Sequence, residues 1–203
     1  MPSSDLPPLP PPLHVRARLD DAVVRADRAR FLSYLSRCNL GIGRLLLLWA
    51  VAAVFVLGWS FVGMAWMAFE ERHFFSYVYG LILALLGAGV LIPAAFWFAR
   101  GAKRDRQVRR LLYAWAESDR DPVADARLRE PVLSLIWLLT SFALGAIGLW
   151  ATFAAAASTR PGGPTYGEVA YTMGIGQILW LTGLLGLAKA VTHYRWAVRA
   201  FRG

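Results

Sequence analysis

Few residues in this 203-residue chain have types and spacing that could do chemistry, and those stand apart from the groups that would have to assist them. A hydroxyl becomes a nucleophile when a proton acceptor lies within reach. Ser60, Ser76, Thr140, Ser141 and Thr182 fall in strongly apolar stretches with no buried His or carboxylate beside them. Hydrolysis inside a membrane is therefore not expected, and each hydroxyl is expected to bond to its own backbone or to a neighbouring helix. Gln177 is the most polar deep side chain, with Tyr171 and Thr182 on the same stretch. These three are the candidates for lining a pore or ligand site, the alternative being hydrogen bonds between helices.

Glu70, Glu71, Arg72 and His73 sit in one short connection, and Arg160, Tyr166 and Glu168 in or beside another. If the two met, acids and a His could hold a divalent cation, but such groups in a turn are ordinarily solvated, and no metal site is assigned. Arg104, Arg109 and Arg110 are the candidates for gripping phosphate, in an anionic lipid headgroup or a lipid-linked substrate. Asp105, Glu117 and Asp119 are the acids near enough to serve as a base there. One cysteine, Cys38, excludes an internal disulfide and a multi-cysteine metal site. No catalytic residue emerges and no cofactor is expected: the apolar stretches hold no His to ligate a haem or pigment, and Trp137, Trp150 and Trp180 suit packing or lipid.

The elements that carry these residues follow from composition. Hydrophobic residues make up 57% of the chain and charged ones 17%, against roughly 45–50% and 25% for soluble domains. A membrane-crossing helix needs about 20 mostly apolar residues, and four runs qualify: 45–69, 74–99, 132–157 and 169–191. Their continuous apolar character excludes the alternation of a membrane β-barrel. Only the fourth carries a charge, Lys189, close enough to its end to reach the interface. The first run follows a long polar segment and exceeds the apolar part of a signal peptide, so it is expected to remain as a span.

The net charge of +9 and pI near 10.4 are distributed by side. Arg16, Arg18, Arg25, Arg28, Arg30, Arg37 and Arg44 precede the first run, a second group fills 100–131, and a third follows Lys189. The two remaining connections carry one basic residue each, Arg72 and Arg160. Such asymmetry marks the cytoplasmic side and accounts for the charge without a nucleic acid. Apart from Lys103 and Lys189 every basic residue is Arg, which suits a GC-rich bacterial genome.

The expected fold is an all-α integral membrane protein of a bacterial plasma membrane. Its four transmembrane helices form two antiparallel hairpins, with both termini cytoplasmic and basic amphipathic helices on the cytoplasmic face. Residues 1–14 read as a proline-rich disordered tail. Residues 15–44 form an amphipathic segment in which Leu19, Val23, Phe31 and Leu35 share much of one face. The connection 100–131 contains a second such helix, with Val108, Leu111, Leu112 and Trp115 among arginines, ending near Asp121-Pro122. Residues 192–203 are a basic tail. The same plan of basic helix followed by two spans occurs twice, with Arg30-Phe31-Leu32 echoed by Arg110-Leu111-Leu112.

Small residues four apart let helices approach closely: Gly80, Ala84 and Ala88 in the second run, Ser141 and Gly145 in the third, Thr182, Gly186 and Ala190 in the fourth. Pro93 is expected to kink the second run and is a hinge candidate. The function expected is non-enzymatic: helix association, as an accessory or anchoring subunit of a larger membrane complex. The alternatives are a homo-oligomeric ion channel and a carrier or enzyme for a lipid-linked phosphorylated substrate. Partners would be membrane lipids, including anionic headgroups, and protein subunits or further copies of the chain.

Overall fold

The computed structural model describes residues 10, 21–117 and 131–200, and those residues form helices with no strand. In chain order they are α1 (Asp21–Leu40), α2 (Ile42–Glu70), α3 (Phe74–Glu117), α4 (Pro131–Ala157) and α5 (Tyr166–Ala200). Four stretches are long and apolar enough to cross a membrane: Ile42–Glu70, Phe74–Trp115, Leu133–Ala157 and Tyr166–Thr192. The proline-rich tail 1–14 apart from Pro10, the start of the amphipathic segment at 15–20, and the break expected at Asp121-Pro122 lie outside the described residues.

The four apolar runs read from sequence all lie in helices, and the differences are at their ends. The second run and the amphipathic helix expected after it are one uninterrupted helix of 44 residues, α3. Between Ala99 and Glu117 the chain has a single glycine, Gly101, and no proline, so nothing stops hydrogen bonding where the apolar run ends. Pro93 lies inside α3, exposed, and does not end it. Likewise α5 continues past the fourth run to Ala200 through residues that include neither glycine nor proline.

Between 11% and 33% of the most apolar stretch of each spanning helix is buried by the rest of the chain. Phe75, Trp97 and Trp150 are 83%, 75% and 72% exposed. An apolar surface of that extent has no stable form in water and is ordinary in lipid.

The most extensive packing is between α4 and α5, then α2 with α3, then α2 with α5. Thus α2 and α5 are the inner helices, flanked by α3 and α4 respectively. Glycines set how close they come. A Cβ on Gly183 would stand 2.6 Å from Gly145 Cα and 2.7 Å from the Ser141 carbonyl; one on Gly176 would stand 2.7 Å from the Gly148 carbonyl. Between α2 and α3 a Cβ on Gly87 would lie 3.1 Å from the Gly58 carbonyl. Backbones this near have no room for a methyl group, so backbone and small-side-chain contact holds the helices together.

The helix α1 packs mainly against α3. Leu32 and Leu35 are buried, as are Val108 and Trp115 on the part of α3 beyond Ala99, and the Phe31 and Trp115 rings lie 5.0 Å apart. The described parts of the two stripes therefore meet at Phe31, Leu35, Val108 and Trp115, while Val23 stays 54% exposed. A small cluster of Leu45, Trp137 and Ala190, with Leu48 and Leu133, joins α2, α4 and α5 near this end.

Candidate functional site

Polar side chains within the spans are bonded mostly to their own helix. Thr140, Thr152, Thr172 and Thr182 each donate to the carbonyl four residues back, at 2.6 to 2.9 Å, and Ser60 does the same to Val56 at 2.8 Å. Such back-bonding satisfies a hydroxyl that would otherwise face hydrocarbon. Ser141 differs: its Oγ is buried without a partner, wedged against Gly186.

Between α2 and α5 lies a polar junction built on two glycines. The Trp59 indole rests on Gly174 and donates from Nε1 to the Tyr171 carbonyl at 3.1 Å, while the Tyr171 ring rests on Gly63. The Tyr171 hydroxyl stands 3.3 Å from Ser60 Oγ. Thr182 is buried on nearly the same face of α5, since eleven residues at about 100° each return to within roughly 20°. Six residues from Tyr171 turn the helix by about 240°, and Gln177 is exposed on that other side. The three pore or ligand candidates are therefore not brought together. Among the described residues the Gln177 carboxamide makes no hydrogen bond.

At the end where α2 turns into α3, the acids serve the backbone. Glu70 Oε1 accepts from Gly167 N at 2.8 Å, tying the end of α2 to the start of α5. Thr165 and Glu168 cap α5 reciprocally, Thr165 N donating to Glu168 Oε2 at 3.0 Å and Glu168 N to Thr165 Oγ1 at 3.3 Å. Two carboxylates thus meet the positive end of one helix. Glu71 accepts from Ser76 Oγ at 2.7 Å. Arg72 takes a left-handed φ of 56° as the chain leaves α2. Trp66, Phe69, Glu70, Arg72, Thr165 and Tyr166 line a shallow depression here, and the described residues contain no group of three metal-binding side chains.

At the opposite, basic end, one carboxylate gathers three elements. Asp105 on α3 lies 3.0 Å from Lys189 Nζ of α5 and 3.6 Å from an Arg44 guanidinium nitrogen of α2. The ammonium also sits 5.4 Å from the centre of the Trp137 ring on α4. Lys189 is therefore paired within the bundle, its side chain 18% exposed. The continuation of α3 beyond the second apolar run brings Asp105 to it. Farther out, Arg28 of α1, 4% exposed, donates to the Trp115 carbonyl in the last turn of α3 at 3.4 Å and so satisfies an acceptor the helix leaves open.

The phosphate candidates do not converge. Arg104 and Arg109 are half-buried about 140° apart around α3, Arg109 donating to the Asp105 carbonyl at 3.4 Å, and Arg110 is exposed. Lys103, Arg106 and Arg110, spaced three and four apart, form the exposed basic stripe instead. Of the packing candidates, Gly80 lies under the Phe69 ring, Gly145 faces Gly183, Gly186 faces Ser141, and Ala190 is in the cluster with Trp137. Ala84 and Ala88 are half-buried beside Gly87, which makes the closest approach to α2.

These features define a multi-pass membrane protein whose four apolar helices are joined by glycine contacts, with carboxylates tying α2 to α5 at one end and α3 to both at the other. No protein-family model matches the chain, and no curated protein or solved structure matches it significantly.

Proposed function

We propose that this chain is a non-enzymatic membrane protein that acts through helix association, as an accessory or anchoring subunit of a larger complex. The observation that carries the reading is how the polar groups are used. Threonines bond to their own helices, Asp105 binds Lys189, and Glu70 holds the start of α5. The hydroxyls are thus satisfied within their own helices, and the two carboxylates fix one helix against another. The spans form two antiparallel hairpins in a bacterial plasma membrane, and the distribution of arginines supports placing both termini, α1 and the end of α3 beyond Ala99 on the cytoplasmic side.

Extraction of the complex from its own membrane into lipid discs, followed by subunit identification, tests this. Different subunits are expected to co-purify in fixed ratio. A ring of identical chains that passes ions would overturn the accessory reading in favour of a channel.

A further inference from the structure

Gln177 lies near the middle of the Tyr166–Thr192 span, is exposed, and forms no hydrogen bond with any described residue. The threonines on either side of it, Thr172 and Thr182, are satisfied by the carbonyls of Glu168 and Ile178. A carboxamide has two N–H donors and an acceptor oxygen and has no such back-bond here. Midway along a helix of this length and composition, an exposed side chain of a lone copy would meet lipid tails, which offer it nothing.

The rest of that face is apolar. Ala170, Gln177, Leu184 and Val191 recur every seventh residue, with Leu181 and Ala188 alongside. Leu181, Leu184 and Val191 are 53%, 42% and 43% exposed. One polar residue in an otherwise apolar seven-residue repeat fixes register and partner number in helix pairs. The identity of the partner follows from depth. Two copies inserted the same way present Gln177 at the same level, and a carboxamide complements another carboxamide, donor to acceptor in both directions. No other partner is guaranteed that match.

We propose that the Gln177 face of α5 is the contact surface for a second copy of this chain, with the two α5 helices parallel across a two-fold axis along the membrane normal and the two carboxamides bonded to each other. The inference rests on the helix-association reading above and adds the partner and the residue.

The test uses the full chain in lipid discs and in native membrane vesicles, with copies per complex counted by single-molecule photobleaching. Two copies are expected. Gln177→Leu, which keeps the helix apolar and of similar volume, is expected to weaken pairing about tenfold, with Gln177→Asn restoring part of it. In a Cys38→Ser background, Leu184→Cys is expected to form an inter-copy disulfide with copper phenanthroline as oxidant, whereas Phe142→Cys on the exposed face of α4 is not. A single copy, a ring of more than two, or pairing unchanged by Gln177→Leu would overturn the proposal. Foreign subunits around a single copy would overturn it while leaving the accessory reading intact. A pair with no foreign subunit would do the reverse.

Discussion

The Ser141 hydroxyl, buried and unbonded against Gly186, makes the residue-scale energetics testable. A buried polar atom without a partner carries its desolvation cost with no return, on the order of 1–3 kcal/mol. Ser141→Ala is therefore expected to keep or raise the thermal unfolding midpoint in lipid discs, and Ser141→Leu to lower stability by about 2 kcal/mol because α5 passes too close. The residue types that matter were legible in the sequence, and their grouping was legible only within a helix. Gln177, Tyr171 and Thr182 look like one set when read by depth. Helical angle separates Gln177 from the other two, and that angle is present in the numbering alone. The Trp59 to Tyr171 bond had no such signal, since it joins positions far apart in the chain whose meeting depends on how α2 crosses α5.

At the scale of elements, glycine spacing decides which helices approach and how closely. Gly183→Ala is expected to cost about 1–3 kcal/mol, because the new methyl meets the backbone of α4. Gly145→Ala, whose Cβ would stand 3.7 Å from Gly183 Cα, is expected to be neutral or slightly stabilising. Thermal unfolding of the two variants side by side measures the asymmetry of one interface. The Asp105 clasp gives a second comparison. Asp105→Asn leaves a largely buried ammonium without its carboxylate and is expected to cost about 1–3 kcal/mol. The double variant Asp105→Asn with Lys189→Met is expected to recover part of that loss, which a double-mutant cycle reads directly. Hydrophobicity located the apolar runs but not the ends of the helices that hold them, because a helix stops where hydrogen bonding is interrupted and not where the side chains turn polar. The length of α3 was hidden for that reason, and with it the route by which Asp105 reaches Lys189.

For the whole molecule, the four spans and the basic asymmetry were plain from composition, whereas the order α3, α2, α5, α4 depends on contacts that no local pattern encodes. The sidedness we propose has a simple check. A fluorescent protein fused after Gly203 is expected to fluoresce and alkaline phosphatase fused there to be inactive, with the reverse for insertions at Gly162, in the connection between α4 and α5. The amphipathic stripes of α1 and α3 were legible in the sequence, but what they pack against was not. Part of each meets the other, with Phe31 on Trp115 and with Leu32, Leu35 and Val108 buried where α1 packs on α3.

Because α3 is unbroken from Phe74 to Glu117, it is one rod of roughly 65 Å at 1.5 Å per residue. Its packing on α2 and the tie of Asp105 to both inner helices hold the greater part of that rod to the bundle. The last stretch, roughly 18 Å beyond Asp105, is a bracket, and α1 is bolted to its end by Arg28 and Phe31.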